Sequence, residues 1–338
     1  MRVFVAANFL HVTCATVPRW PRPGEIVLAD HAHSQAGGKG LNVAIGCRRL
    51  GAAVTALVGI GKDPHGDDLI ALLQSHGIPT RHVHRLAATS GQGWGFIGAD
   101  GQNCGVVSTG PNACLTAAHA ELAHTDIAAS DWLYGQFETA LPAVQRCFEL
   151  ARSAGVPTML NPSPWQAIPD ALLGLTDVLV VNEVEAEGLL QERLPTEAGL
   201  SDWARQLQAP VEALWQRWPG RLLVVTAGHR GCMAFVPGQP VRCCQAYPVD
   251  AIDTLGAGDA FASGLLMALD LARLNDKAML DAALRQGSAC GALTASRSGV
   301  LDALPCDAAL SSFVAQRTET DLKWVTWPSG HQAGILSR

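Results

Sequence analysis

The chain has 338 residues, 48 % of them hydrophobic and 16 % charged, with a net charge of -6. That is apolar material for one large or two modest α/β domains, and it excludes a disordered chain. The acidic balance and the scatter of Lys and Arg leave no footprint for nucleic acid, so small molecules are the expected partners.

Residues 3–7 read as a buried first strand. The surrounding stretch MRVFVAANFLHVTCA is apolar after one Arg. Asn8 and His11 interrupt it, however, and no small-residue cleavage site follows, which argues against a signal peptide. Short β-branched runs then alternate with Ala/Leu-rich segments of helical period. A helix is predicted over 42–50, a strand over 54–60 and a helix over 66–76, with later strands over 132–134, 157–160, 178–181 and 222–226. The alternation predicts βαβ units, hence an α/β fold with a doubly wound, mostly parallel sheet flanked by helices.

Two stretches break the alternation. Residues 12–36 are rich in Pro, His and Gly, and 93–107 read as strand, Asp100-Gly101 turn, strand. They predict a small β lid built from segments of about 12–36 and 89–108, with ordinary surface loops as the alternative. Residues 318–338 follow the last helical pattern and read as a C-terminal tail, docked or frayed. The ten cysteines show no zinc spacing and read as free thiols packed in a reducing cytoplasm. The apolar run LGAGDAFASGLLMALDLARL carries Asp259 and Asp270, so no membrane span is expected and the protein reads as soluble and cytoplasmic.

The strongest local signal is DTLGAGDAF, from Asp253. Gly256, Ala257 and Gly258 open a long apolar helix, where backbone N–H groups lack intrahelical acceptors and the macrodipole favours an anion. Asp259 follows in the first turn, beside a phosphate held there. It suits the proton acceptor of a phosphoryl transfer, with a plain helix-start acid as the alternative. AGGKGLN at 36–42 precedes another Ala-rich helix. Its glycines permit close backbone approach to a ligand, and Lys39 and Asn42 offer polar groups for sugar hydroxyls. It is no Walker A loop, since no Ser or Thr follows the Lys.

These segments resemble the ribokinase-like family of carbohydrate kinases. The likeness is collinear through AGGKGLNVA, NPSP at 161–164, NEVEAE at 182–187, TAGHRG at 226–231 and DTLGAGDAF at 253–261. It implies one kinase domain over 1–317 that uses ATP and Mg2+, with Asp259 as base and the backbone of Gly256, Ala257 and Gly258 as anion hole. Asn182 and Glu185 resemble the pair that organises Mg2+ and the ATP phosphates, largely through water. Thr226 and Gly228 resemble nucleotide contacts, with adenine further on near the helix of Ser288. Asp253, with carbonyls of Leu255, Thr294, Arg297 and Gly299, resembles a K+ site, although Ala303 stands where a serine is often found. Asn8, Gly38, Lys39, Asn42 and Glu138 match sugar contacts, and relatives often dimerise through the lid, which implies a homodimer.

The departure is Leu10, where the resemblance implies an Asp that grips two sugar hydroxyls. Three substrate readings follow: a different sugar or sugar acid, a nucleoside with its base on Phe9 and Leu10, or His11 swinging in to replace the Asp. No cations for a second phosphate are evident, which favours a non-phosphorylated sugar. A dinucleotide-dependent oxidoreductase would need G-x-G-x-x-G after the first strand, and residues 8–13 hold no glycine. A protein that binds nucleotide or sugar without turnover is the remaining alternative.

Overall fold

The computed structural model describes residues 1–99 and 103–317, with the backbone of a strand at 324–326. In chain order the elements begin β1 (Arg2–Ala6), β2 (Leu10–Val17), β3 (His31–Gly37), α1 (Lys39–Arg49), β4 (Ala53–Gly61), α2 (Pro64–Ser75), β5 (Val83–Ala87), β6 (Gly91–Gly98) and β7 (Asn103–Ser108). Next come α3 (Ala117–Glu121), α4 (His124–Ala128), β8 (Trp132–Gln136), α5 (Leu141–Ser153), β9 (Thr158–Asn161), α6 (Asp170–Leu173), β10 (Val178–Val181), α7 (Glu183–Leu190) and α8 (Leu200–Trp215). The chain continues through β11 (Leu222–Thr226), β12 (Cys232–Phe235), β13 (Arg242–Cys244), α9 (Ala257–Ala268), α10 (Lys277–Ala295), α11 (Asp307–Ala315) and β14 (Trp324–Thr326).

The main sheet has ten strands in the order β14-β13-β12-β11-β10-β9-β8-β1-β4-β5. From β11 to β5 neighbouring strands run parallel. Strand alternation assigns side chains to two cores. Val3 and Val5 face one side with residues of α1, α9 and α10. Phe4 and Ala6 face the other with residues of α5, α7 and α8. Burial on both faces explains why β10 reads VLVV without polar alternation.

The sheet is less uniformly parallel than the sequence suggests. β12, β13 and β14 pair antiparallel at one edge. The tail therefore includes a strand that adds to the sheet through β13, while the rest of 318–338 lies outside the described residues. The helix expected from residue 42 begins at Lys39, because the backbone of Gly38 turns directly into it. The stretches assigned to a lid form a separate four-stranded sheet, ordered β3-β2-β6-β7. Its strands run beyond the expected limits, from Leu10 and to Gly37. The Asp100-Gly101 turn lies outside the described residues.

None of the described helices is long and apolar enough to cross a membrane. The ten cysteines are free: Cys243 and Cys244 face different cores, while Cys244 sits opposite Cys232 across the β12–β13 pair.

Candidate active site

β1 lies between β8 and β4, so the chain builds outward from it in both directions. At such a switch point the connections leaving adjacent strand ends diverge and open a crevice, where open α/β sheets hold ligands. Asn8 follows β1 there and is fully buried. Its Nδ2 donates to Glu138 Oε2 at 2.8 Å, and its Oδ1 accepts from the Gly40 N–H at 2.9 Å. The Lys39 N–H donates to the same Glu138 oxygen at 3.0 Å.

Glu138 stands in the loop between β8 and α5, ahead of the helix start. Its N–H donates to Gln136 Oε1. Gln136 Nε2 donates to Thr139 Oγ1 at 2.8 Å, and that hydroxyl donates to the Ala7 carbonyl at 2.9 Å. The acid is thus fixed by a buried chain of bonds to the end of β1.

The glycines of AGGKG have a different reason than the sequence suggests. Gly38 has φ 119°, and a Cβ there would stand 2.6 Å from Asn8 Nδ2. At Gly40 a Cβ would stand 2.5 Å from Ala7 Cα. The close approach they permit is that of α1 to the end of β1, which brings Lys39 and Asn42 over the crevice.

α9 enters from Gly256, its left-handed N-cap with φ 75°. A side chain at Gly256 would meet Val300 Cγ1 at 2.6 Å, so backbone and packing both require glycine; at Gly258 a Cβ meets nothing within 4 Å. Of the expected anion-hole donors, the Ala257 N–H already donates to the Thr254 carbonyl at 3.2 Å. The next amides of the first turn lack intrahelical acceptors.

Asp259, in that turn, is 6 % exposed. Its Oδ2 accepts from Asn42 Nδ2 at 2.7 Å, which ties α9 to α1. Asn42 Oδ1 is buried without a hydrogen-bond partner among the described residues. Burial pushes the Asp259 carboxyl up to about 6; Lys39 and Asn42 pull it down, Glu138 and Glu185 push it up. Half-buried Lys39 loses hydration, which disfavours its charge, yet Asp259, Glu138 and Glu185 raise its pKa above the usual lysine value. Lys39 is therefore a fixed cation, and Asp259 a base poised near neutrality.

Asn182 and Glu185 form a reciprocal capping box at the start of α7, each side chain accepting from the other's N–H at 2.9 Å. Asn182 Nδ2 donates to Glu185 Oε1 at 2.9 Å and Asn161 Nδ2 to Glu185 Oε2 at 3.0 Å. The carboxylate is 3 % exposed, and these donors fix its orientation.

Thr226 ends β11, its hydroxyl 3.3 Å from the Val181 carbonyl. Gly228 has φ 51° and open space at its Cβ position. Arg230 stacks on Trp203 at 4.6 Å and reaches Glu183 at 3.2 Å, so it is anchored rather than simply solvated. Ser288 is 9 % exposed, its hydroxyl 3.5 Å from the Cys244 sulfur; it is not drawn into the cluster around Asp259.

Asp253 clips two segments together, accepting from the Leu255 N–H at 3.0 Å and the Gly299 N–H at 3.3 Å. The Thr294 carbonyl accepts from the Arg297 N–H at 3.1 Å. Part of the polar capacity of these residues is thus already used.

Two substrate readings lose support. His11 lies on the face of β2 opposite Leu10 by strand alternation and stacks on His65 at 3.7 Å, so it does not replace a carboxylate there. Phe9 is 1 % exposed and offers no ring face to a base.

Other residues that build the site escape sequence reasoning. Asn161, in the weak NPSP signal, steadies Glu185. Tyr134 is fully buried, its hydroxyl without a hydrogen-bond partner among the described residues and its pKa pushed well up by burial and then by Asp259 and Glu185. Gln136 and Thr139 fix Glu138. Asn161 alone had a signal, its place in a motif.

A basic carboxylate at an open helix start, under a fixed cation at the switch point of an α/β sheet, defines a phosphotransferase with an alcohol group as acceptor. The chain belongs to the pfkB family of carbohydrate kinases, which matches residues 10–306, and it is a sugar kinase of ribokinase type. It is 32 % identical over 293 residues to the ribokinase of Staphylococcus aureus, covering 86 % of this chain and 92 % of that one. It is 30 % identical over 306 residues to the ribokinase of Haemophilus influenzae, covering 90 % and 95 %. Its fold matches that of an Arabidopsis thaliana ribokinase solved with ribose and ATP, at TM-score 0.78 and 23 % identity over 93 % of this chain and 97 % of that one.

Proposed function

We propose that the protein transfers the γ-phosphoryl group of ATP to a hydroxymethyl group of a small, non-phosphorylated sugar, with Asp259 as general base. The observation that carries this is the buried Asp259, with its pKa pushed to about 6 beside the glycine-opened start of α9. In the reaction the acceptor O–H gives its proton to Asp259, its oxygen forms a bond to the γ-phosphorus, and the bond to the ADP oxygen breaks. Amides of Gly256, Ala257 and Gly258 face the charge on the moving phosphoryl group. The Ala257 donor exchanges its turn acceptor for the phosphoryl oxygen as it binds. Lys39 adds fixed positive charge, and the work is positioning and electrostatics.

Gly38, Lys39, Asn42 and Glu138 would bind the sugar, with Asn8 holding Glu138 and Gly40 in place. The unpartnered Asn42 Oδ1 suits a hydroxyl donor. Thr226, Gly228 and, through its helix, Ser288 would line the nucleotide site. Glu185, already taking three hydrogen bonds, fits a Mg2+ held through water better than a direct ligand, since Mg2+ keeps several waters. The metal would neutralise phosphate charge. Asp253 with the carbonyls of Leu255, Thr294, Arg297 and Gly299 would hold K+. The four-stranded sheet would act as the lid and contribute to a homodimer, closing over the pocket to keep water from ATP.

The test is ATP consumption over pentoses, hexoses, sugar acids and nucleosides, with Mg2+ and K+, for wild type and Asp259→Asn. Sugar-dependent turnover that falls by about 10²- to 10⁴-fold in the variant supports the reading. Nucleotide binding with no turnover on any acceptor replaces it with a binding protein. Turnover on nucleosides alone replaces it with a nucleoside kinase.

A further inference from the structure

We infer, on the sugar-kinase reading above, that the acceptor presents a deoxygenated edge to the four-stranded sheet, so that a deoxysugar is preferred over its fully hydroxylated counterpart. The argument begins with the strand register. Leu10, Val12 and Cys14 of β2 share one face of the small sheet with Ile97 of β6 and Val107 of β7. Together with Leu255 these residues line a cleft of about 180 Å³. Leu255 immediately precedes Gly256, the N-cap of the helix that carries Asp259. On this reading, an acceptor whose hydroxymethyl group reaches Asp259 has one edge beside this cleft, where Leu10 and Leu255 flank Asn8 and Gly256 in the chain.

Among the described residues lining the cleft, no side chain carries a carboxylate, carboxamide or hydroxyl for a hydroxyl pair. Leu10 is 4 % exposed and occupies the near end, two residues from Asn8. Gly93, Gly95 and Gly105 bring no side chains, and none of the described residues lining the cleft is charged. Of the polar atoms nearby, Gln35 Oε1 and the Asn8 amide are engaged, while Gln35 Nε2 stays a donor at the edge of this face. Gln35 Oε1 accepts from the Val300 N–H at 3.3 Å. Both ends of the Asn8 amide are bonded, to Glu138 and to Gly40. The other polar groups, Lys39, Asn42 and Glu138, belong to the main-domain wall. The site is thus two-sided: hydroxyls are read from α1 and the loop after β8, while the opposite edge meets hydrocarbon. A hydroxyl on that edge would lose its water without gaining a carboxylate, carboxamide or hydroxyl partner from the lining.

A nucleobase fits this face less well. A base gains from an aromatic platform or from hydrogen bonds to its edge. Trp94 and Phe96 also border the cleft, but they pair with Thr13 and Ala15, so strand alternation turns their rings to the face opposite Leu10. The occupant that fits branched aliphatic side chains is a plain C–H edge.

The test compares kcat/KM of the wild-type protein for matched acceptors, D-ribose against 2-deoxy-D-ribose and D-glucose against its deoxy derivatives, with nucleosides included. An apolar pocket discriminates against an added hydroxyl by up to about 10²-fold, so a deoxysugar is expected to win by about 10- to 100-fold in at least one pair. Leu10→Asp, with Leu10→Asn as the milder variant, is expected to lower that ratio by tenfold or more; circular dichroism and a melting curve confirm folding. If both variants unfold, the wild-type ratios decide alone. Sugar turnover with equal or better use of the hydroxylated member of each pair, or a nucleoside as best acceptor, overturns the inference. No turnover on any acceptor overturns the sugar-kinase reading and this inference with it.

Discussion

Asp259 sits between opposing influences whose signs can be tested one residue at a time. Burial and the acids Glu138 and Glu185 raise its pKa, while Lys39 and Asn42 lower it, with a balance at about 6. The base must be ionised, so kcat/KM for the sugar should rise with pH through about 6 and level off above it. Lys39→Met removes a lowering charge and should move that limb to higher pH. Glu138→Gln removes a raising charge and should move it lower. Both shifts are read from pH–rate profiles, and equal movement in one direction would contradict the assignment. The same perturbation sets a stability signature. The folded pKa lies above the unfolded value of 3.8, so ionised Asp259 opposes folding, and this penalty grows as pH rises from about 4 to about 6. A shift of that size is worth up to roughly 3 kcal/mol. Asp259→Asn should therefore lose about 10²- to 10⁴-fold in turnover yet melt at a higher temperature than wild type at pH 8, with the gain vanishing below about pH 4. Sequence alone marks Asp259 as a candidate because its motif is local. The opposing charges come from residues scattered along the chain, which is why the poise of the base was not legible there.

At the scale of elements, two glycines that look alike in sequence do different work. Gly40 lets α1 press against Ala7, and Gly40→Ala should cost stability on the scale of an overpacked core, about 1–3 kcal/mol, read by urea unfolding. Gly258 faces open space at the head of α9. Gly258→Ala should leave the urea midpoint unchanged or raised, since Ala favours helix, yet lower kcat by crowding the phosphate. A loss of stability there with unchanged kcat would remove Gly258 from the anion hole. The glycine clusters were legible as close approaches, but what approaches was not, because the partner of Gly40 lies far off in sequence at the end of β1. The N-x-x-E at 182–185 is a similar case. It reads as a metal pair through resemblance, and the structure shows it as the capping box of α7. The antiparallel edge at β12 to β14 was missed because its short strands alternate too briefly to announce their direction.

For the whole molecule, the decisive feature is that two sheets meet around one crevice. The main sheet was legible because double-sided burial writes continuous apolar runs into the sequence, as in β10 and β11. The small sheet was legible only as a disturbance, since β3 reads HAHSQAG and is largely exposed, with no apolar alternation to define it. Its attachment is narrow and specific. Asn112 accepts from the Phe9 N–H at 3.0 Å and donates to the Phe9 carbonyl at 2.8 Å, just before β2. Asp63, the N-cap of α2, accepts from Ser90 N–H at 2.6 Å and Oγ at 2.7 Å, just before β6. Beyond these polar clamps β7 is exposed and β3 largely so, a pattern that permits opening without unfolding the main sheet. If the small sheet is the lid, saturating acceptor sugar should slow amide exchange in β2 and β6 while β10 and β11, already buried on both faces, stay unchanged. Hydrogen–deuterium exchange by mass spectrometry reads this directly. Protection confined to β1, α1 and α9 would mean that the sugar is held by the main domain alone, and the apolar face around Leu10 would then have no part in choosing it.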